Sequence, residues 1–428
     1  MSESTDLQIA PATPAETPVS PELAALRVAQ AAAQWPEATR LAEAMLAEDP
    51  THGEALHAIG LSSLIVSKLP EAEQAFLRSV AANPTMAATH RNLGVVYHLT
   101  GRTVEAIEAF TRAAALEPTD PHSRFNLGVC HMESGRLAEA IEEYRACLAL
   151  APDHAGAHSN LIFNLDLVDQ DEAILQRRVF HARHGAKWVG RTEAFLNRPD
   201  PERRLRIGYV SGDFSFHSAS FLFGPVIREH DRDQFDVTLY GMVKLWDVIS
   251  DRYRDEFRWR NALPMPDDDF IRQVRGDGID ILVDLSGHSH GNRLTAFARR
   301  CAPVQVTAWG HVHGTGLTAM DYLLADRVVV PALSTPNGHG ADLPGTLDPR
   351  FAERVVYLPV LCPFGPATTA PDVTPTPALA SGVFTFGTFN RMDKLGARTY
   401  DLWAAILKAV PTARLLIKTP EMDRPERK

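Results

Sequence analysis

Apolar positions in residues 33–166 follow the spacing of amphipathic helices, and the pattern repeats every 34 residues. One proline marks each period: Pro50, Pro84, Pro118 and Pro152. In segments such as GRTVEAIEAFTRAAALEP (101–118), apolar residues lie three and four positions apart, which predicts two helices per unit. Such hairpins cannot bury their apolar face alone. The pattern therefore predicts a right-handed solenoid of stacked hairpins over 23–166, with three full repeats and partial repeats on both sides.

Residues that recur within each repeat have predictable places. Gly94 and Gly128 are small residues where two helices touch, and Gly101 and Gly135 open the turn between helices. An asparagine also recurs at one helical position, as Asn92, Asn126 and Asn160. An amide offers both a donor and an acceptor, so this ladder can grip a bound peptide backbone, or it can serve ordinary helix packing. Both interpretations remain open.

The hydrophobic period changes after a helical connector over 167–204. Short β-branched or aromatic runs predict strands, and amphipathic segments between them predict helices. The predicted strands are 205–211, 235–241, 279–287, 304–309 and 355–359, and the predicted helices are 219–229, 249–260, 268–276 and 292–299. Alternating strands and helices predict a doubly wound parallel sheet, an α/β Rossmann-like lobe over 205–362.

Polar residues follow the predicted strands, where ligands of such sheets bind. His217 lies after the first strand, in SGDFSFHSAS (211–220), and we expect it to be functional. Two H-x-H pairs lie on later loops, His288 with His290 and His311 with His313. Three interpretations of these histidines remain open: they can form hydrogen bonds to a polar substrate, they can bind zinc, or they can be loop residues without a specific function. No carboxylate or cysteine lies at a spacing that completes a typical metal site, so no metal is expected.

The residues after the first lobe predict a linker and the start of a second lobe. Prolines and small residues dominate 363–382, which is typical of a linker. A βαβ unit follows, with strands at 383–390 and 413–418 and a helix at 398–409. Two strands leave an open sheet edge, so 383–428 is interpreted as the start of a truncated lobe.

Composition narrows the class of protein. The 428 residues carry a net charge of −10, which opposes non-specific binding to nucleic acid or anionic lipid. No apolar stretch is long enough to span a membrane, and 1–22 read as a disordered N-terminus rather than a signal peptide. The four cysteines form no CxxC pair and are expected to be reduced. The sequence therefore predicts a cytoplasmic protein with no nucleic-acid or membrane partner.

Several motifs together resemble a known family. LRIGYVSGDFSFHSAS, IDILVDLSGHSHGNRLTAFARRCAPVQVTAWG, GTGLTAMDYLLAD and FGTFNRMDKL follow the repeats in the order found in tetratricopeptide-containing glycosyltransferases. That family includes eukaryotic O-linked N-acetylglucosamine transferase and the plant SPINDLY proteins. The resemblance spans about residues 90–420 and implies a B-type fold, in which a sugar nucleotide lies between two Rossmann-like lobes.

The resemblance also implies an activity and site residues. Family members transfer a sugar from a nucleotide donor, commonly UDP-linked, to Ser or Thr of a protein, and flagellin is one candidate acceptor. His217 is similar to the active-site histidine of the first lobe, and Asn390 and Lys394 to residues of the donor-binding loop. His288 and Thr315 lie in other active-site loops. The nucleotide sugar is a co-substrate, and the resemblance implies no cofactor.

Three departures from the family pattern leave a second class of function open. The chain has GHVHGTG (310–316) where members usually have GYPGTTG, which leaves His311 and His313 unexplained. No second active-site histidine lies in FRWRN (257–261), and most of the donor lobe is missing before Lys428. The alternative to a transferase is a non-catalytic repeat scaffold, for example in flagellum biogenesis, with a degenerate transferase half.

Overall fold

A computed structural model describes residues 20–331, 346–361, 371–390 and 395–418. The chain forms two compact units. One consists of Met1–Ala157 and Pro375–Lys428, and the other of His158–Thr374. In the part of the chain that is described, no helix is long and apolar enough to cross a bilayer.

Helical hairpins form the described part of the first unit up to residue 157, as the 34-residue period predicts. The described helices up to residue 157 are α1 (Pro21–Ala31), α2 (Trp35–Glu48), α3 (Gly53–Ile65), α4 (Leu69–Ala82), α5 (Ala87–Leu99), α6 (Thr103–Leu116), α7 (Pro121–Glu133), α8 (Leu137–Leu150) and the start of α9 (Ala155–Val168). The segment before the first full repeat is itself a complete hairpin, α1 with α2. Each recurring proline lies two residues beyond a helix end, as in Glu48 and Pro50.

Recurring glycines let the two helices of a hairpin pack closely. A Cβ atom added to Gly94 would lie 2.7 Å from the ring of Phe110, and one added to Gly128 would lie 2.6 Å from the ring of Tyr144. The aromatic rings, which are fully buried, therefore fill the space that the missing side chains leave. This confirms the predicted role of the glycines at helix contacts.

A second recurring position requires a left-handed backbone in the turn between helices. Gly101 and Gly135 have φ of 77° and 72°, as expected for glycines that open a turn. The equivalent positions of the two earlier hairpins hold Ala33 and Ser67, with φ of 53° and 60°. The turn geometry is thus kept where glycine is absent, at a cost in backbone strain.

An eight-stranded sheet forms the centre of the second unit. Its strands are β1 (Leu205–Ser211), β2 (Phe235–Gly241), β3 (Arg258–Asn261), β4 (Ile281–Asp284), β5 (Val304–Thr307), β6 (Tyr322–Ala325), β7 (Thr346–Leu347) and β8 (Arg354–Tyr357). The strand order is β3-β2-β1-β4-β5-β6-β8-β7, and all pairs are parallel except that of β7 with β8. The doubly wound α/β prediction is confirmed.

Helices connect the strands of this unit. After α9, the helices are α10 (Gln170–Phe180), α11 (Ser218–Arg228), α12 (Val248–Glu256), α13 (Asp267–Gly276) and α14 (Leu294–Phe297). A five-residue π-helical turn, His181–Gly185, continues α10. Apolar side chains of β1, β2, α11 and α12 meet in a buried core that includes Phe214, Phe223 and Tyr253.

Three strands of the sheet, β3, β6 and β7, are absent from the sequence prediction. A helix was predicted over 249–260, but α12 ends at Glu256 and β3 follows. Trp259 packs where Gly241 has no side chain, since a Cβ there would lie 2.0 Å from the indole ring. The residues around Trp259 are polar, so the hydrophobic pattern of the sequence does not indicate this edge strand. The sequence analysis also omitted β6 and β7, whose four and two residues are too few for a clear pattern.

The described residues after 371 contain a short helix and one βαβ unit. The helix α15 (Pro377–Ser381) lies in the predicted linker. Strand β9 (Thr385–Thr388), helix α16 (Ala397–Ala409) and strand β10 (Arg414–Ile417) follow, and the two strands pair in parallel. These three elements lie where the sequence predicts them.

Candidate active site at the carboxyl edge of the sheet

His217 lies at the carboxyl edge of the sheet, between β1 and α11. It is the N-cap residue of α11, and its Nδ1 accepts a hydrogen bond of 3.2 Å from the backbone N–H of Ala219. This bond satisfies one of the backbone donors that are left without partners at the start of a helix. The imidazole is 29% exposed, so a substrate can reach it. The position agrees with the expectation from the order of elements.

Asp213 is the carboxylate nearest to His217 among the ion pairs of this loop. Its Oδ1 lies 3.6 Å from Nδ1 of His217. When Nδ1 accepts from Ala219, the neutral ring carries its proton on Nε2 and can donate it to an oxygen. When Nδ1 instead donates to Asp213, Nε2 carries the lone pair and can accept a proton. The loop therefore supports either positioning of a substrate or proton abstraction by the same ring.

A second loop, after β2, is attached to the loop that carries His217. The carboxylate of Asp247 accepts hydrogen bonds from the backbone N–H of Phe216 at 2.6 Å and of Ile249 at 2.9 Å. Burial alone would raise the pKa of this carboxyl, but the hydrogen bonds outweigh burial and lower it. Asp247 thus stays ionised while it holds the two loops together.

Exposed apolar side chains lie on these two loops, next in sequence to His217 and to Asp247. Phe216 is 74% exposed and Val248 is 76% exposed, and Trp246 is also exposed. Phe216 stacks edge-on against Phe221 with ring centroids 5.4 Å apart. Exposed aromatic groups beside a polar residue offer contact area for a ligand that has an apolar part.

His288 lies in the loop after β4 and is completely buried. Its Nε2 lies 2.9 Å from the carbonyl oxygen of Thr315, and its Nδ1 lies 3.2 Å from Oγ of Ser159. A carbonyl can only accept, so Nε2 carries the proton and Nδ1 accepts from the serine. Burial, together with the charge of Arg177, holds the pKa of His288 well below its ordinary value. His288 is therefore a neutral ring with both nitrogens in use.

Thr315 is also buried, and a carboxylic group fixes it. Its backbone N–H and its Oγ1 lie 2.6 and 2.5 Å from Oε1 of Glu353. Burial raises the pKa of Glu353, although the hydrogen bonds from Thr315 oppose that shift. The structure thus brings His288 and Thr315 together, because the loops that carry them follow the adjacent strands β4 and β5. Their contact with a substrate stays a prediction, and their burial favours a structural role.

A further carboxyl group, that of Asp284, shapes these loops. Asp284, the last residue of β4, accepts from the backbone N–H of Ser286 and Gly287 and from the hydroxyl of Thr307. Burial raises its pKa. The φ of Gly287 is 54°, and a Cβ on it would lie 2.4 Å from Cβ of His311. A glycine is therefore required here for the loops after β4 and β5 to approach each other.

The unexplained histidines of the loop after β5 meet a carboxylate from another element. Nε2 of His311 lies 2.8 Å from Oδ2 of Asp166, and Nδ1 of His313 lies 3.8 Å from Oδ1 of the same residue. Asp166 also pairs with Arg177 from α10. Burial opposes ionisation of Asp166, but His311 and Arg177 outweigh it and lower the pKa to about 2. Burial lowers the pKa of His313.

The remaining predicted site residues lie elsewhere. Asn92 and Asn126 are fully buried and Asn160 is half-buried, which favours the helix-packing interpretation, and peptide binding by them stays a prediction. Asn390 is exposed just after β9. Lys394 lies outside the described residues.

Sequence reasoning missed the residues that α9 and α10 contribute to these loops. Ser159, Asp166 and Arg177 are distant in sequence from the histidines that they contact, so no local spacing indicates them. One signal was present, because Asp166 interrupts the apolar run LIFNLDLV (161–168) of a buried helix. A carboxylate at such a position needs a partner.

Comparisons with known proteins agree with this arrangement. Residues 191–337 match the model of glycosyl transferase family 41. Residues 58–121 and 97–162 match models of the tetratricopeptide repeat. The three matches therefore cover both the hairpin array and most of the lobe that carries His217.

Individual relatives include bacterial, plant and animal proteins. The structure of a variant of the O-GlcNAc transferase of Thermobaculum terrenum is similar with a TM-score of 0.74 and 34% identity, over 88% of this chain and 70% of that one. A probable UDP-N-acetylglucosamine–peptide N-acetylglucosaminyltransferase, SPINDLY of Arabidopsis thaliana, is 38% identical over 52% of this chain and 24% of its own length. A Caenorhabditis elegans UDP-N-acetylglucosamine–peptide N-acetylglucosaminyltransferase is 30% identical over 37% of this chain and 13% of its own length. The chain thus spans about a quarter of the plant relative.

Proposed function

This chain belongs to the tetratricopeptide-containing proteins of glycosyl transferase family 41, and we propose that it transfers a sugar from a nucleotide donor to Ser or Thr side chains of a protein. The observation that carries the proposal is the place of His217, partly exposed beyond the carboxyl end of β1. Ligands of parallel α/β sheets bind at that edge.

In the proposed reaction, a bond forms between the acceptor oxygen and the anomeric carbon of the sugar. The bond from that carbon to the nucleotide diphosphate breaks, and the diphosphate leaves with the electron pair. The acceptor hydroxyl loses its proton, for which Nε2 of His217 is the candidate base when Asp213 holds the proton on Nδ1. With the other tautomer, His217 positions the reactants by donating from Nε2.

The donor is proposed to be a UDP-linked sugar that binds as a co-substrate. This follows from the names of the relatives, which act with UDP-N-acetylglucosamine. Asn390 and Lys394, which follow β9, are the proposed contacts of the second lobe with the diphosphate. A lysine suits that role because the leaving group develops negative charge.

The acceptor is proposed to be a protein that the helical repeats recruit. Tetratricopeptide hairpins expose long concave faces on which extended peptides can lie. Flagellin remains a candidate acceptor, and the Asn92, Asn126 and Asn160 ladder remains a candidate peptide contact. A cytoplasmic location is part of the proposal, since Cys130, Cys147 and Cys301 are unpaired, buried thiols.

Labelled sugar transfer tests the proposal. Purified protein is incubated separately with UDP-[14C]N-acetylglucosamine and with a GDP-linked sugar, in each case with an extract of the source cell, and protein-bound label is counted. We expect label on protein from the UDP donor. This label should remain on the protein after denaturation without base, and it should be absent when the transferase is first inactivated by heat. Label from the GDP donor alone would correct the donor class.

No label from either donor, together with stable capture of a partner by the repeats, would favour the scaffold alternative. The observation that keeps this alternative in view is that His288 and Thr315, two of the predicted site residues, are buried. The same assay therefore separates the two classes of function.

A further inference from the structure

We propose that Asp166, His311 and His313 form a binding site for one divalent ion of the zinc class, a site that ties helix α9 to the loop after β5. One ligand atom from each side chain lies within 4.8 Å of the other two. Carboxylate oxygen and imidazole nitrogen are typical zinc ligands, and three protein ligands leave a fourth position for water. The inference is independent of the proposed transferase activity.

Unsatisfied polar atoms in the cluster point to a missing ligand. Oδ1 of Asp166 and both ring nitrogens of His311 are buried, and none has a hydrogen bond of acceptable geometry. The 2.8 Å approach of Nε2 of His311 to Asp166 is thus a close contact with poor hydrogen-bond alignment. Buried polar atoms without partners are costly, and a metal ion that accepts their lone pairs would remove that cost.

The distances suit a metal after small movements. Zinc lies about 2.0–2.2 Å from nitrogen and oxygen ligands, so the ligand atoms of a tetrahedral site lie about 3.4 Å apart. The measured separations, 2.8 Å for His311 and 3.8 Å for His313 from the oxygens of Asp166, lie on either side of that value. Side-chain movements of about 1 Å would complete the site.

The surroundings supply support and access. The loop carrying the histidines is shaped by Gly314 and Gly316, whose φ values are 74° and 76°. The carbonyl of Gly314 accepts a hydrogen bond of 3.1 Å from Nε of Arg177, which holds the loop against α10. His313 is 33% exposed, whereas the other two ligands are buried, so an ion would enter past His313.

Two nearby groups limit the site. Arg177 pairs with Asp166 and neutralises its charge, so a bound ion would rest on two neutral imidazoles and a shared carboxylate. This predicts weaker binding than a site with an unshared carboxylate. His288 is excluded as a ligand because Ser159 and Thr315 occupy both of its nitrogens. Among the described residues, the ligand set therefore consists of Asp166, His311 and His313.

Cobalt binding tests the site directly. The tag-free full chain is treated with a chelator, dialysed, and titrated with Co²⁺ while visible absorption and bound metal are measured, and Zn²⁺ is then added in competition. We expect one ion per chain, the strong visible bands of four-coordinate Co²⁺, and their loss on addition of Zn²⁺. We also expect H313A to weaken binding by about 10–100-fold.

The matched control is H290A, because His290 belongs to the other H-x-H pair and lies outside the cluster. It should bind like the wild type. The side chain of His313 is partly exposed, so H313A should fold, and D166N provides a second loss-of-ligand variant. Failure of the wild type to bind Co²⁺, or equal binding by wild type and H313A, would overturn the proposal. So would equal weakening by H290A.

Discussion

Oδ1 of Asp213 lies 3.6 Å from Nδ1 of His217, just beyond hydrogen-bond distance, while Ala219 donates to the same nitrogen at 3.2 Å. The imidazole therefore stands between two partners that demand opposite tautomers. With Asp213 as partner Nε2 can accept a proton, and with Ala219 as partner it can only donate. The residue that decides between these roles is Asp213.

The variant D213N tests which tautomer acts in the proposed reaction. If His217 is the base, the neutral amide no longer stabilises the protonated ring, and we expect kcat to fall about 10–100-fold with little change in KM. The exposed D255N in the same unit serves as the control and should keep the wild-type rate. An unchanged kcat in D213N would assign His217 a positioning role.

The variant G94A tests the close contact within the repeats. A Cβ on Gly94 would lie 2.7 Å from the ring of Phe110, so the ring must move, at a cost of about 1–3 kcal/mol that helix propensity only partly offsets. The control is G276A, at a helical glycine with nothing within 4 Å of the added atom. Urea unfolding should show a loss of stability for G94A and none for G276A. Equal effects in the two variants would contradict the packing account.

The variant S67G tests the strain in the turn between α3 and α4. Ser67 has φ of 60°, where L-residues other than glycine are disfavoured, and the equivalent turn after α5 has Gly101. Relief of that strain outweighs the larger entropy of glycine in the unfolded chain, so we expect the free energy of unfolding to rise by about 1 kcal/mol. The reciprocal change G101S should lower it by a similar amount. A lower thermal midpoint for S67G would refute this account.

Because His158 is buried, we expect the free energy of unfolding to fall in mild acid. Burial lowers its pKa to about 4 from an ordinary 6.5, so below pH 6.5 the unfolded chain binds a proton that the folded chain does not. The free energy of unfolding therefore falls as the pH falls from 6.5 towards 4, by about 2 kcal/mol between pH 7 and pH 5 from this residue. Above pH 7 the contribution is constant.

The variant H158Q isolates that contribution, because glutamine does not titrate. Urea unfolding of both proteins at pH 7 and pH 5 should show a pH-dependent loss that is about 2 kcal/mol smaller in the variant. Histidines distant from His158 contribute equally to both proteins and cancel in the comparison, whereas His184 is electrostatically coupled to His158. The same pH dependence in both would mean that His158 is protonated in the folded state.

Local patterns predicted most of the fold. The strands β1 and β2 have the bounds that the sequence predicts, because both are β-branched or aromatic runs with clear turn residues around them. The 34-residue period predicted the hairpins, because apolar residues at helical spacing and turn residues recur in each repeat. By contrast, the sequence predicts a helix where β3 lies. Trp259 of β3 packs into the space above Gly241, and the hydrophobic pattern of β3 itself does not indicate this contact.

The candidate site was predictable only where it depends on strand ends. His217 lies in the loop between β1 and α11, so the topology rule indicated it. The partners of His288 and His311 come from α9 and α10, and nothing in the spacing of the chain reveals that Ser159 or Asp166 lies against them. Contacts between distant segments follow from packing, which a single sequence does not display.

The central claim is that His217 acts on the acceptor in a sugar-transfer reaction, and the most direct test compares wild type with H217A. Both proteins are incubated with UDP-N-acetylglucosamine and with an acceptor protein isolated from the labelling assay. The intact mass of the acceptor is followed with time. The account predicts an added N-acetylhexosamine on the acceptor with wild-type protein and a rate lower by about 10²–10⁴-fold with H217A. The thermal midpoint should fall only slightly, because H217A also removes the side-chain cap of α11. An acceptor modified equally fast by H217A would contradict it.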